Sequence, residues 1–363
     1  MIDRLHLREM DWALTALLLL NTVVGVVLIY SATFYTGGGF AWKQVLWMVI
    51  ALGFFFLTVA VDYKFWIEIA PYLYGLALLV LVGLLAFGRV TSGARSWLRL
   101  AFLGGQPSEV AKVAVLLILA RLFSEYRAAF ANFAFGALAV LLAGLPMAVI
   151  AFQPDFGTAF CFFPLLAGAL ILAGLNRRMI ALFLVVAVVG GFLGWNFFLK
   201  DYQKKRLETL VNPGQDPRGA GYHVLQSKIA IGSGGTTGKG FMKGTQSRLR
   251  FLPARHTDFI FAVLGEEFGF AGVFAVFVLY FLLLARMFRS VGKTRDRAGS
   301  YITFMASSLL TFQFLINVLM IVGLLPVTGI PIPLLSYGGS SLLTTYVAVG
   351  LVVNIQMRRF AYV

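Results

Sequence analysis

The stretch HTDFIFAVLGEEFGFAGVFAVFVLYFLLLAR, residues 256–286, decides the fold. From Phe259 onward it is almost continuously apolar. At about 1.5 Å per residue it is long enough to cross the roughly 30 Å of hydrocarbon in a bilayer as a helix. Yet Asp258 stands at its start, and Glu266 and Glu267 lie inside it. Charged side chains in a membrane span are costly and mark a site, a pathway or a pairing.

Comparable runs recur along the whole chain. Only 12% of the 363 residues are charged, against about a quarter in an ordinary soluble domain, and the mean hydropathy is +0.87. The runs are uninterrupted rather than alternating, which excludes an outer-membrane barrel. The fold class is an all-α polytopic integral membrane protein. Ten spans are predicted at 12–32, 42–61, 67–88, 108–123, 133–152, 157–175, 179–199, 259–286, 301–324 and 337–357, with one long loop at 200–258. The chain reads as a single membrane domain over 1–363, without an internal repeat or an appended soluble domain. Its first run follows Arg4 and Arg8 as a secretory signal would, but its length and the runs behind it read as a retained span. Cys161 is the only cysteine, so no intramolecular disulfide forms.

Orientation follows from Lys and Arg in the short loops. With both termini cytoplasmic, the inner loops and ends hold basic residues such as Arg4, Arg8, Arg177, Arg178, Arg289 and Lys293, while the short outer loops hold only Arg89, Arg95 and Arg99. The loop 200–258 is then external and carries eleven Lys and Arg. It serves either as a surface for water and anionic headgroups or as a handler of an anionic substrate.

Five stretches carry chemistry. SGGTTGKG at 233–240 invites a P-loop reading but has Ser233 and Gly240 where that motif needs Gly and Ser or Thr. What survives is a flexible lid, or a Gly-rich turn whose N–H groups and Lys239 approach a phosphate. QPSEVAK at 106–112 places Glu109 and Lys112 on one helical face, as an ion pair or as substrate contacts. QPDFGTA at 153–159 sets Asp155 in a turn, as a helix cap or a site carboxylate. GLLPVTGIPIPLLSYGGSS at 323–341 is too rich in Pro and Gly for a regular helix. Such backbone at membrane depth must be buried by protein or border a polar cavity. Ser336, Tyr337, Ser340 and Ser341 can offer hydroxyls there, and Gly338 and Gly339 close backbone approach. Finally, Asp258 beside Arg255, His256 and Thr257 suits a general base acting on a hydroxyl, or an ion pair or cap. Three scattered His and one Cys offer no metal-ligand spacing.

These stretches, with GARSWL at 93–98, occur in an order and over a length that resemble the SEDS family (shape, elongation, division and sporulation). The wording of the last two is closer to the elongation branch. The resemblance implies a peptidoglycan glycosyltransferase of the bacterial cytoplasmic membrane. Such an enzyme polymerises lipid II beside a class B penicillin-binding protein and releases undecaprenyl diphosphate. It implies that Asp258, matching the aspartate of the family's HTDF motif, is the essential catalytic residue. Weaker carry-over makes Glu109, Lys112 and Asp155 substrate-handling or structural residues. The basic loop, alone or with a divalent cation such as Mg or Mn, would stabilise the leaving diphosphate. Membrane lipids are further partners, and no nucleic acid is implied. A lipid II flippase is the rival from another class, since intramembrane charges and broken helices suit transport too.

Cysteines introduced singly at Ser247 and Thr294, in a Cys161→Ala background, are expected to label oppositely with an impermeant thiol reagent. External labelling at position 294 overturns the topology.

Overall fold

The computed structural model describes residues 9–37, 39–91, 94–100, 103–125, 133–174, 220–249, 251–252 and 254–358, with isolated positions 185, 189 and 204. The early helices are α1 (Trp12–Thr33), α2 (Gly39–Ala60), α3 (Tyr63–Glu68), α4 (Ala70–Phe87), α5 (Pro107–Glu125), α6 (Phe133–Phe152), α7 (Phe156–Phe160) and α8 (Phe163–Ala173). The later ones are α9 (Ala220–Gly234), α10 (Thr245–Arg248), α11 (Ile260–Val291), α12 (Arg297–Ile321) and α13 (Gly339–Met357). Eight stretches among the described residues are long and apolar enough to cross a membrane, α7 and α8 counting as one. The more polar α5 runs through the interior, packed on α4, α6, α8, α12 and α13. The expected span 179–199 lies outside the described residues except for positions 185 and 189, as does 200–219 except for position 204.

Two local departures have clear causes. The run predicted at 67–88 starts as a helix only at Ala70, because Asp62 caps the separate turn α3 by accepting the Lys64 N–H at 3.0 Å. Between α4 and α5 the short connection is a three-stranded antiparallel meander of β1 (Arg89–Thr91), β2 (Ala94–Leu100) and β3 (Leu103–Gly105). In backbone register Arg89 pairs with Trp97 and Arg99 with Gly104. The GARSWL motif thus enters β2, with Gly93 outside the described residues.

The larger departure concerns the long loop. Its described part is folded: α9 lies along α11, and the turn 235–240 plugs a break in α11 at Gly269. Gly269 has φ 63° and ψ −159°, a conformation open to glycine, and a Cβ there would run into the backbone of Thr236, Thr237 and Gly238. Breaking a helix frees backbone groups that hydrocarbon cannot satisfy. Here the turn supplies the partners. Phe270 and Ala271 donate to the carbonyls of Gly235 (2.9 Å) and Thr236 (3.0 Å), while the carbonyls of Glu266 and Glu267 accept from the N–H groups of Lys239 (3.0 Å) and Gly240 (2.9 Å).

The two glutamates complete the joint. Glu266, fully buried, accepts from Lys239 Nζ (2.7 Å), Thr245 N (2.7 Å), Thr245 Oγ1 (2.8 Å) and Gln246 N (3.0 Å). Glu267 accepts from Ser31 Oγ of α1 at 2.7 Å and from the N–H groups of Met242 and Gly244. These carboxylates are paid for by hydrogen bonds and hold the loop onto the bundle.

Gly269→Ala is expected to cost at least about 1–3 kcal/mol, from the left-handed backbone and the clash with residues 236–238. Gly53→Ala in α2, where a side chain meets nothing within 4 Å, is expected to be neutral or stabilising. Thermal unfolding in detergent compares the two, and equal midpoints contradict the plugged break.

Candidate active site

At one end of the bundle, residues 323–338 cross between α12 and α13 without forming a helix. Its neighbours fasten it. The turn 254–259 that leads into α11 gives up three consecutive carbonyls: His256 O accepts from Tyr337 N (2.8 Å), Thr257 O from Ser336 Oγ (2.7 Å) and Asp258 O from Asn317 Nδ2 (3.0 Å). Ser336 Oγ also accepts the Ile332 N–H at 2.9 Å. Gln44 of α2 bridges the segment, accepting from Gly338 N (3.3 Å) and donating to Ser336 O (3.4 Å). The Asp258 carboxylate, half-buried, faces the tip of the segment, and a Cβ at Gly329 would stand 3.9 Å from its Oδ2.

The QPDFGTA turn reaches the same segment from the other side. Asp155 caps α7 by accepting the Thr158 N–H (3.2 Å) and also accepts from Gln106 Nε2 (3.1 Å). Gly157 packs so closely on the Thr328 carbonyl that no side chain fits. Gln106 N–H donates to Ser340 Oγ at 3.0 Å. Burial pushes the Asp155 carboxyl above the usual carboxylate range, with Thr158 and Lys112 opposing. Deeper along α5, Lys112 Nζ pairs with Glu109 Oε1 at 2.8 Å, both side chains almost wholly buried. The neighbours of Asp258 are equally fixed. Arg255 is buried with Nε donating to Ala32 O at 2.6 Å. The His256 ring lies 4.6 Å from Phe40 and 5.8 Å from Tyr337. Burial first, then Arg255, holds the imidazole below its ordinary 6.5, so it is neutral at neutral pH.

The structure therefore brings Asp258, His256, Thr257, Ser336 to Ser340 and Asp155 around one segment. Other expected site residues have structural duties. Lys239 pairs with Glu266, and the N–H groups of Gly238, Lys239 and Gly240 donate to carbonyls of Gly234, Glu266 and Glu267. Ser336 uses its hydroxyl on two backbone groups. Gly339 stands against the Trp47 indole, and the Ser341 carbonyl accepts from Thr345 Oγ1. Gln44, Gln106 and Asn317 escaped the sequence reading, although each is a carboxamide in or beside an apolar run, the one signal available. Among the described residues no three His, Cys, Asp or Glu side chains converge.

Residues 11–360 match the family described as Cell cycle protein, whose members are FtsW, RodA and SpoVE. The chain belongs to this family. It is 39% identical to the peptidoglycan glycosyltransferase MrdB of Escherichia coli K12, over 98% of this chain and 95% of the relative. It is 32% identical to the peptidoglycan glycosyltransferase RodA of Treponema pallidum, over 97% and 98%. Among solved structures, a chain from a study of polymerization and crosslinking by a peptidoglycan synthase complex superposes with a TM-score of 0.83 at 31% identity, covering 97% of this chain and 98% of that one. The rod shape determining protein RodA of Thermus thermophilus gives 0.73 at 29% identity with the same coverage. Sequence and structure thus agree on a FtsW/RodA/SpoVE protein.

For the buried Glu109–Lys112 pair, neutralising either partner leaves an uncompensated charge and is expected to cost about 3–5 kcal/mol. The double neutral variant is expected to recover most of that in a detergent unfolding assay. Single variants as stable as the parent contradict the pairing, and a stable but inactive double variant gives the pair a duty beyond folding.

Proposed function

We propose that this chain is a peptidoglycan glycosyltransferase of the RodA type, polymerising lipid II at the outer face of the bacterial cytoplasmic membrane during elongation. One observation carries the reading: the chain is similar over nearly its whole length to relatives named for that activity. The same names favour a polymerase over a lipid II flippase. The match to a peptidoglycan synthase complex supports a class B penicillin-binding protein as partner. Both termini are taken as cytoplasmic from the loop charges, which puts Asp258 at the external end.

In the proposed mechanism Asp258 is the general base. Its oxygen takes the proton of a GlcNAc 4-hydroxyl on the acceptor. The alkoxide-like oxygen forms a bond to the anomeric carbon of a lipid-linked MurNAc, and the bond to undecaprenyl diphosphate breaks with its electron pair leaving on the diphosphate. A single displacement inverts that carbon. Three features support this role for Asp258. Its carboxylate is only half-buried, its backbone is fixed by neighbours, and the facing residue is a glycine, so a sugar can come close. Exposed cations of the loop, Lys228, Lys243 and Arg248, are available to the diphosphate charge. No step is routed through a metal.

Asp258→Asn keeps size and most hydrogen bonding but cannot accept the proton. It is expected to fold and insert normally while polymerisation of labelled lipid II in detergent, with the cognate crosslinking partner present, falls about 10²–10⁴-fold. A folded Asp258→Asn protein that still makes long glycan chains would falsify the assignment.

A further inference from the structure

The sequence marks Asp258 but not what aims it. Asn317 lies in the last two turns of α12, fully buried, and its amide nitrogen donates to two carbonyls at once: Asp258 O at 3.0 Å and Ile330 O at 2.6 Å. These acceptors belong to the two strands of chain that face one another across the site, the turn bearing Asp258 and the segment whose Gly329 stands opposite the carboxylate. One planar group therefore sets the separation between the base and the wall where a hydroxyl must sit. We propose that Asn317 is a positioning residue for glycosyl transfer, holding Asp258 in register with residues 328–330. The proposal rests on the reading of Asp258 as general base.

Two observations separate this role from ordinary helix packing. Asn317 Oδ1 is buried with no hydrogen-bond partner among the described residues. A side chain kept for stability alone is poorly served by such an arrangement, because an apolar residue of the same shape avoids the desolvation cost. The amide orientation is also forced, since only the nitrogen can donate to the two carbonyls. The neighbouring Thr328 N–H donates to the Met320 sulfur at 3.4 Å, a weak acceptor, so the two strong bonds of the Asn317 amide matter the more to this stretch. Substitution at Asn317 thus loosens residues 328–330 and Asp258 together, while the Glu109–Lys112 pair on α5 keeps its contact.

The test compares the parent, Asn317→Leu, Asp258→Asn and the double variant, each purified with the crosslinking partner. Polymerisation of lipid II is followed as kcat and KM, and thermal unfolding is measured in parallel. A misplacement of about 1 Å can cost about 10²-fold, so Asn317→Leu is expected to lose about 10–10²-fold in kcat with KM within about twofold. The double variant is expected to be no slower than Asp258→Asn, because residues acting through one group are non-additive. Asn317→Ser, which keeps one donor, is expected to fall between the parent and Asn317→Leu.

Parental kcat in folded Asn317→Leu overturns the positioning role while leaving the base assignment intact. A multiplicative loss in the double variant also overturns it, as does a change confined to KM. Full activity in Asp258→Asn overturns the underlying base reading instead. If neither Asn317 variant folds, the residue is a determinant of the fold and the proposal fails.

Discussion

Backbone carbonyls and N–H groups that leave a helix inside a membrane protein must be paired by protein, because hydrocarbon offers nothing. Everything distinctive in this structure follows from that requirement. Among the described residues the chain leaves regular helix between α12 and α13 and again at Gly269 in α11. Each departure is closed by groups brought from elsewhere in the sequence. Carboxamides and a serine from α2, α12 and residues 332–338 close the first, and a glycine-rich turn closes the second. The first closure leaves the Asp258 carboxylate and Gly329 facing each other, which makes the candidate site.

The fold was legible because hydrocarbon thickness imposes a length on apolar runs, and the helices start and end close to the limits expected from that length. The prolines and glycines of 323–341 likewise announced a non-helical crossing. What stayed hidden was tertiary. That residues 233–240 plug a break in a helix cannot be read from either stretch alone, since the hydrogen bonds exchanged are backbone ones and carry no side-chain signature. The meander at 89–105 was obscured by its brevity, three strands of three to seven residues.

Within the candidate site Asp258 stood out in the sequence, and the residues that bond its turn did not. Asp258 stands out as a carboxylate at the edge of an apolar run. Gln44, Gln106 and Asn317 carry no charge and look like tolerated polar residues until their partners are known. Conversely, Glu266, Glu267 and Lys239 drew notice by charge, yet they fasten a loop. In a membrane protein, charge marks where desolvation has been compensated, and compensation serves architecture as readily as chemistry.

The interruption at Gly269 divides α11 into a short stub, Ile260–Phe268, and a long shaft beyond it. The stub begins directly after the turn bearing Asp258, and its far end is bonded to residues 235–246 rather than continuing rigidly into the shaft. Because the turn 235–240 also accepts from Phe270 and Ala271 at the start of the shaft, it clamps both sides of the interruption into one joint. The turn bearing Asp258 and the stub behind it are also tied to α1 through Ser31 and Ala32 and to α12 through Asn317, so the clamp at Gly269 and the bundle hold that turn together.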